Sequence, residues 1–325
     1  MGHFVSQAVY VTAKLGVADI LAEGPSADAD LAAATRTDAD ALRRVLTLVA
    51  EVGLLERTAD GRVALTRTGE CLRSDVPDSV RSAVILFGEE PFRASGALLH
   101  AVSTGEPGFD HVFGTSHFRY LERDSSAAAT FHAAMAQLTA LVADELIAAC
   151  DLPAAGTLVD VGGGAGLLLA QVLEARPGLH GVLFEAPEAA TAARAALERR
   201  DLDGRCEVVA GDLFDAVPGG GDVYVLKSVL HTLGDDDATR ALQACSAAMP
   251  DGARLLVVER VVPDDGDRFM ALLNDVVMLT VTGGCERTLA QYQALSDPAG
   301  LALRRAIPGR SGFSVLEYAN ARAAR

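Results

Sequence analysis

The sequence predicts an α/β protein in which a sheet of parallel strands carries helices on both faces and follows a helical N-terminal domain. From residue 156 onward, short apolar runs alternate with helical segments, and this alternation is typical of parallel sheets. The first of these runs ends in a cluster of glycines, which lets a strand turn tightly into a helix. Before about residue 150 the apolar residues recur at helical spacing, apart from one hairpin.

Length, composition and charge indicate an acidic protein of about two domains. The chain has 325 residues, half of them hydrophobic, and a net charge of −16. Such a surface repels phosphate backbones, so we expect no nucleic-acid partner. No basic stretch precedes an apolar core at the N-terminus, and no run of 18 residues is wholly apolar. We therefore expect a cytoplasmic protein that does not enter a membrane.

Cysteine usage agrees with a reducing compartment. The chain contains five cysteines, an odd number, and no two of them form a C-x-x-C pair. A disulfide framework or a structural zinc site is therefore not expected, and the sequence predicts no bound metal.

The N-terminal region predicts three short helices followed by a hairpin. The helices are predicted at Leu15–Leu21, Asp30–Ala34 and Ala39–Val52, and Asp38 is in the position of an N-cap for the third. The strands Leu54–Thr58 and Arg62–Thr66 flank a tight turn. Three helices and a hairpin in this order form a winged-helix arrangement.

A winged helix can recognise DNA or serve as a dimerisation scaffold. Residues 1–110 contain ten Lys or Arg against sixteen Asp or Glu, and the third helix mixes Asp40 and Glu51 with Arg43 and Arg44. This helix has no basic face, which argues against a ligand-sensing transcription regulator. Because the helices are apolar for their small size, we expect a homodimer through this domain.

A long helix is predicted to connect the two domains. The segment Phe118–Cys150 is rich in alanine, and its larger apolar residues recur every three or four positions. We therefore divide the chain into a winged-helix-like dimerisation domain at 1–115, a linker helix at 116–150 and an α/β domain at 151–325.

The α/β domain predicts seven strands, most of them separated by helices such as Pro187–Arg200 and Asp235–Met249. The strands are predicted at Thr157–Val161, Gly181–Phe184, Glu207–Ala210, Val223–Leu226, Arg254–Glu259, Leu301–Ala306 and Ser314–Tyr318. In such sheets, ligands bind at the carboxyl ends of the strands.

The residues at these strand ends indicate a ligand that contains a ribose but no pyrophosphate. The glycines of Val159–Gly166 do not fit G-x-G-x-x-G, because Leu167 or Leu169 occupies the place of the third glycine. Glu185 ends the second strand, 23 positions beyond Gly162, a distance at which a carboxylate can bind both hydroxyls of a ribose. Asp212 follows the third strand, where it could accept a hydrogen bond from an adenine amino group.

These motifs together resemble the S-adenosylmethionine-dependent O-methyltransferases of the class I, Rossmann-like fold. The branch includes plant caffeate and hydroxyindole O-methyltransferases and bacterial enzymes that modify aromatic polyketides. The resemblance covers nearly the whole chain and extends to Gly211–Phe214, Leu226–His231 and Gly283–Thr288. It implies S-adenosylmethionine as the cofactor and a small aromatic molecule as the substrate.

The resemblance also implies a role for individual residues. The residues expected to contact the cofactor are Gly162, Gly164, Glu185, Asp212, Leu213, Lys227 and Ser228. His231 matches the general base, and the acidic residues Glu259 and Glu286 flank it. The residues expected to line the acceptor pocket are Phe131, Met135, Asn274 and Met278.

The chemistry of methyl transfer is consistent with these roles. A sulfonium methyl group is already activated, so the protein must align an oxygen with it and remove a proton. A phenol and a histidine differ by about 3.5 pKa units, so proton removal should accompany transfer, unless a neighbouring carbonyl acidifies the phenol. Carboxylates beside His231 would fix its tautomer and stabilise its charged form.

One departure from the family leaves alternatives open. Family members usually have an Asp and an aromatic residue after the histidine, whereas this chain has Thr232 and Leu233. The fold could therefore serve a reaction without methyl transfer, such as hydroxylation, decarboxylation or a pericyclic reaction. Methylation of a nitrogen or of a carboxylate is a nearer alternative, because the same base and cofactor site could serve it.

Overall fold

The computed structural model describes residues 1–321, without the side chains of Leu141 and Glu188. The chain forms two compact units. The first consists of Met1–Arg93 and Asp124–Leu138, and the second of Ala94–Arg123 and Thr139–Arg325. The units thus interleave along the chain, whereas the predicted domains, divided at residues 115 and 150, follow the order of the sequence.

The helices account for most of the first half of the chain. In order, they are α1 Gly2–Lys14, α2 Val17–Leu21, α3 Asp28–Thr35, α4 Ala39–Glu51, α5 Arg81–Gly88, α6 Glu90–Ser95, α7 Leu98–Thr104, α8 Gly108–Phe113, α9 His117–Arg123, α10 Ser125–Ala149, α11 Leu167–Ala175, α12 Pro187–Glu198, α13 Asp235–Ala248, α14 Phe269–Val281 and α15 Leu289–Ser296. Two single turns of 3₁₀ helix lie at Gly69–Leu72 and Leu230–Thr232.

The first unit has the predicted helices and hairpin, with two corrections. The hairpin consists of β1 Leu55–Arg57 and β2 Val63–Leu65, and Asp38 caps α4 by accepting a hydrogen bond from the Ala41 amide at 2.8 Å. The sequence prediction missed α1, whose many β-branched residues are weak helix formers. The predicted helix Leu15–Leu21 was wrong at its start, because Gly16 adopts a left-handed φ of 68° between α1 and α2.

The predicted connecting helix is broken near its start. Asp124 separates α9 from α10, and its carboxylate accepts hydrogen bonds from the Ser126 and Ala127 amides, both at 3.0 Å. This is the geometry of an N-cap, so a new helix begins there. Among the described residues, α10 is the one helix long and apolar enough to cross a membrane. A single helix of this kind is weak evidence for a membrane span, and Leu146 of α10 lies in the core of the second unit.

The second unit contains a sheet of seven strands. They are β3 Gly156–Val161, β4 Leu179–Glu185, β5 Cys206–Ala210, β6 Val223–Lys227, β7 Arg254–Glu259, β10 Leu301–Pro308 and β11 Ser314–Asn320, in the spatial order β10-β11-β7-β6-β3-β4-β5. A separate pair joins β8 Val261–Val262 to β9 Arg287–Thr288. All seven predicted strands are confirmed, with no end shifted by more than two residues.

The sheet is mixed, which corrects the expectation of a parallel sheet. Strand β11 runs antiparallel to both of its neighbours, β7 and β10. Only a short turn connects β10 to β11, and such a turn can join antiparallel strands but not parallel ones. The other six strands point the same way.

Helices cover both faces of the sheet, as predicted. On one face, residues of α10, α11 and α12 pack against the sheet in one apolar cluster that includes Leu169, Leu183 and Val258. On the other face, α13 and α15 pack in a second cluster with Val159 and Tyr224. With its core filled from both sides, the sheet leaves the ends of its strands as the place for a ligand.

Candidate active site

The predicted cofactor residues lie at the carboxyl ends of four adjacent strands. In the sheet, β6, β3, β4 and β5 are consecutive neighbours. Gly162 follows β3, Glu185 ends β4, Asp212 follows β5 and Lys227 ends β6. The structure therefore brings these residues to one edge of the second unit.

The loop after β3 requires glycine for both conformation and space. Gly162 and Gly164 have left-handed φ values of 69° and 58°, which residues with a Cβ atom adopt at a cost. A Cβ on Gly162 would lie 2.8 Å from Val229, and one on Gly163 would lie 2.4 Å from the Asp160 carboxylate. No atom lies within 4 Å of a Cβ built on Gly164, so the loop is open on that side to a ligand.

Glu185 connects this loop to the next strand. Its carboxylate accepts one hydrogen bond from the Gly164 amide at 2.7 Å and another from the Ala186 amide at 2.8 Å. Each carboxylate oxygen has a second lone pair, so both can also accept a hydroxyl hydrogen. In its observed position, Glu185 can therefore accept hydrogen bonds from the two hydroxyl groups of a ribose.

Asp212 and Leu213 lie beside Glu185 at the end of β5. The Gly211 amide donates to the Glu185 carbonyl at 3.0 Å, and one oxygen of Asp212 accepts from the Phe214 amide at 2.8 Å. Asp212 is exposed and Leu213 is half-buried. An exposed acceptor beside an apolar side chain suits the amino group and ring of an adenine.

Two ionisable groups of opposite sign, the fully buried Asp160 and the partly buried Lys227, interact at the ends of β3 and β6. Burial raises the pKa of Asp160 to about 7, with a further contribution from Glu185, while Lys227 opposes the shift. Burial also lowers the pKa of Lys227 against the opposing effect of Glu259 and Asp160. Sequence reasoning missed Asp160, although a carboxylate inside an apolar strand is an unusual feature. Ser228 follows with a left-handed φ of 55°.

The predicted base and its two acidic partners converge. The His231 Nδ1 atom lies 2.8 Å from Glu286 Oε1 and 3.8 Å from Glu259 Oε2. Glu259 is the last residue of β7, and Glu286 is brought to it by the pairing of β8 with β9. Both carboxylates are fully buried, and 12% of the histidine side chain is exposed.

Each carboxylate has a separate structural role. Glu259 Oε1 accepts backbone hydrogen bonds from Val229 at 2.9 Å, Leu230 at 2.8 Å and His231 at 3.4 Å, so it fixes the turn that carries the histidine. Glu286 Oε1 contacts the ring itself and also accepts a hydrogen bond from the Asn274 side chain. Asn274 was predicted to contact the acceptor, and the structure shows it bound to Glu286.

The charges around His231 make it a stronger base than an ordinary histidine. Burial by itself lowers the pKa of His231, but Glu259 and then Glu286 outweigh burial, so the pKa is raised above 6.5. Burial raises the pKa of Glu259 as well, with Glu286 adding to the effect and the histidine opposing it. The ring is thus stabilised when it carries a proton.

A buried arginine that sequence reasoning missed holds the same turn. Arg287 is almost wholly buried and donates to the carbonyls of Leu230 and Leu233, each at 2.8 Å, and to Asp235 at 2.8 Å. These carbonyls lie on either side of His231. The sequence signal was present, because Arg287 follows Glu286 in the Gly283–Thr288 motif.

The departure after the histidine has a local explanation. The Thr232 hydroxyl donates to the Val229 carbonyl at 2.7 Å, and Leu233 packs against the apolar cluster around Leu230. Both residues therefore stabilise the turn, and the acidic partners of His231 come from elsewhere in the chain.

The expected acceptor residues belong to different units. Phe131 and Met135 lie in the first unit, where they pack against Ala83 and Leu86. Met278 is half-buried on α14 of the second unit. Their role in acceptor binding stays a prediction.

Comparisons with known proteins match both parts of the chain. A family model described as an O-methyltransferase domain matches residues 96–302, and one described as an O-methyltransferase dimerisation domain matches residues 1–75. A phenazine O-methyltransferase of Lysobacter antibioticus is 40% identical and aligns over 97% of this chain and 93% of its own. An O-demethylpuromycin O-methyltransferase of Streptomyces alboniger is 40% identical over 98% of this chain and 86% of its own.

A solved structure extends the similarity to three dimensions. It is an O-methyltransferase from neocarzinostatin biosynthesis, in complex with S-adenosylmethionine and 2-hydroxy-5-methyl naphthoic acid. It is 35% identical to this chain, has a TM-score of 0.85, and the match covers 98% of this chain and 96% of that chain.

Proposed function

This chain belongs to the O-methyltransferase family and uses S-adenosylmethionine, and from that premise we propose that it methylates a phenolic hydroxyl of a small aromatic or polycyclic natural product. The observation that carries the proposal is the 2.8 Å contact between His231 Nδ1 and Glu286. A carboxylate accepts hydrogen bonds, so Nδ1 carries the ring proton when the histidine is neutral. The lone pair on Nε2 is then available to take a proton.

Glu185 and Asp212 hold the cofactor in this proposal. Glu185 accepts from the ribose hydroxyls, Asp212 accepts from the adenine amino group, and the open glycine loop admits the cofactor close to the backbone. Lys227 and Ser228 contact it from the end of β6. When bound, S-adenosylmethionine supplies an activated methyl group on a positively charged sulfur.

His231 then removes the proton of the acceptor hydroxyl. Nε2 accepts this proton as the oxygen gains the methyl group, so a free phenolate need not form. Glu286 holds the ring in one orientation, and the buried Glu259 and Glu286 stabilise the imidazolium that results. Met278 on α14, in the same unit as His231, supplies apolar surface that suits an aromatic ring.

The same proposal covers partners and location. The match of this chain to a dimerisation domain supports a homodimer through its N-terminal part, and its acidic charge argues against a nucleic-acid partner. Its odd number of scattered cysteines supports a reducing compartment, the cytoplasm, as the place where it acts on small molecules. The reaction without methyl transfer finds no support among these relatives, each of which is named as a methyltransferase.

A product assay tests the proposal. The protein is incubated with S-adenosylmethionine and a panel of polycyclic phenols, each paired with the matching arylamine and aryl carboxylic acid. We expect products heavier by one methylene from phenols alone. Methylation restricted to the amines or acids, or no turnover of any phenol by protein that binds the cofactor, would contradict it.

A further inference from the structure

The carboxylates around His231 have acceptor capacity that their hydrogen bonds leave unused. Glu259 uses Oε1 for three backbone amides, and Glu286 uses Oε1 for the histidine and Asn274. The second oxygen of each, Oε2, is buried and has no hydrogen-bond partner among the described residues, although Glu259 Oε2 lies 3.8 Å from His231 Nδ1. A buried, unpartnered carboxylate oxygen is costly unless a proton or a cation pairs with it.

The spacing of these atoms suits a small metal ion. One donor atom from each of His231, Glu259 and Glu286 lies within 4.8 Å of the others. Bonds from zinc to nitrogen and oxygen are about 2.0–2.2 Å long, so two ligands of one ion lie about 3–4 Å apart. Small rotations of the three side chains would therefore bring them into a zinc coordination shell.

We propose that His231, Glu259 and Glu286 bind one Zn²⁺ ion, and that the bound ion inhibits methyl transfer. Zinc binds imidazole nitrogen and carboxylate oxygen, and a zinc site with three protein ligands keeps a fourth position open. Calcium needs six to eight oxygens and magnesium retains most of its water, which a site with three buried donors does not satisfy. The ion is an inhibitor here, and not a resident cofactor.

Coordination would remove the base. The lone pair of Nδ1 forms the bond to Zn²⁺, so the proton leaves Nδ1 and the neutral ring carries its proton on Nε2. That nitrogen then has no lone pair to accept the proton of the acceptor. The proposal of zinc binding rests on the geometry alone, whereas the proposal of inhibition also rests on the proposed role of His231.

Equilibrium dialysis of the full chain, first stripped of metal with a chelator, tests the binding. We expect one Zn²⁺ per chain and no comparable binding of Mg²⁺. Glu286→Gln keeps the shape of the side chain but loses its charge, and it should weaken Zn²⁺ binding by at least about tenfold, since even supporting groups of metal sites contribute about 10- to 100-fold. Asp264→Asn, in an exposed acidic loop, should bind Zn²⁺ like the wild type.

Two results would overturn the site: no Zn²⁺ binding by the wild type, or equal binding by Glu286→Gln, which would place the ion on the acidic surface. If Glu286→Gln does not fold, as judged by circular dichroism, His231→Asn replaces it with the same expected loss. Methyl transfer should fall in proportion to zinc occupancy. Full methyltransferase activity with Zn²⁺ fully bound would overturn both the inhibition and the role of His231 as base. If the protein binds no Zn²⁺, the site is overturned but the role of His231 is not.

Discussion

His231 differs from an ordinary surface histidine in having its two carboxylate partners placed by separate elements. Glu259 binds the backbone of the turn, and Glu286 contacts the ring at 2.8 Å. The backbone contact fixes where the imidazole lies, and the ring contact fixes which nitrogen carries the proton. A substitution at 231 should therefore affect proton removal and leave cofactor binding unchanged.

The variant His231→Asn tests this directly. We expect kcat to fall by about 10²- to 10⁴-fold, the usual contribution of a general base, while the Kd for S-adenosylhomocysteine stays the same. His180→Asn, an exposed histidine at the opposite end of β4, serves as the control and should keep full activity. A His231→Asn protein with wild-type kcat would show that another group takes the proton.

The pH dependence of kcat/KM reports the same residue. A histidine acts as a base when neutral, and the net effect of burial, Glu259 and Glu286 raises the pKa of His231 above its ordinary 6.5. Activity should therefore rise with pH through a limb that lies above pH 6.5. In Glu286→Gln one stabilising anion is lost, so the pKa falls and the limb should move to lower pH.

Glu207→Gln provides the matched control, because Glu207 is exposed on β5. Its acid limb should coincide with that of the wild type. A limb that stays in place in Glu286→Gln would mean that the titrating group is not His231.

The sequence predicted where most residues of the candidate site lie, because the motifs mark strand ends and parallel strands bring their ends together. The roles of these residues stay predictions. The hydrogen bond from Asn274 to Glu286 and those from Arg287 to the turn around His231 could not be predicted. They depend on the pairing of β8 with β9, two strands of two residues each. Strands this short have no periodicity to detect.

At the level of elements, the strands were easier to predict than the helices of the N-terminal region. Buried strands such as β6 and β7 are continuous apolar runs, as expected for strands covered on both faces. The direction of β11 was missed, since apolar content alone does not distinguish parallel from antiparallel pairing. Helix α1 was missed because its valines and tyrosine favour strands.

The glycine loop after β3 gives a prediction at this scale. In Gly162→Ala the added Cβ would adopt a left-handed φ and lie 2.8 Å from Val229, two residues before the base. We expect the Kd for S-adenosylhomocysteine, measured by calorimetry, to increase at least about tenfold, which corresponds to about 1.4 kcal/mol.

Gly220→Ala separates the effect of the left-handed φ from the effect of the close approach to Val229. Gly220 also has a left-handed φ, but no atom lies within 4 Å of its added Cβ. In this variant the left-handed φ of a residue with a Cβ atom should lower the free energy of unfolding by about 1–2 kcal/mol. Its affinity for the cofactor should be unchanged. Unchanged affinity in Gly162→Ala would show that the loop does not approach the cofactor.

At the scale of the whole molecule, we expect two chains to associate through the N-terminal part. Phe4 on α1 is 63% exposed in the single chain, and residues 1–75 match a dimerisation domain. Light scattering after gel filtration should give twice the mass of one chain, and Phe4→Asp should shift the protein toward the monomer. A wild-type protein with the mass of one chain would contradict the dimer.

The central claim is that His231 faces the acceptor oxygen while Glu185 and Asp212 hold the adenosine. A crystal structure of the protein with S-adenosylhomocysteine and a phenol that it methylates tests this claim most directly. We predict the phenol oxygen within about 2.6–3.2 Å of His231 Nε2, with the ribose hydroxyls on Glu185. A phenol oxygen bound away from His231, or a ribose that does not contact Glu185, would contradict the account.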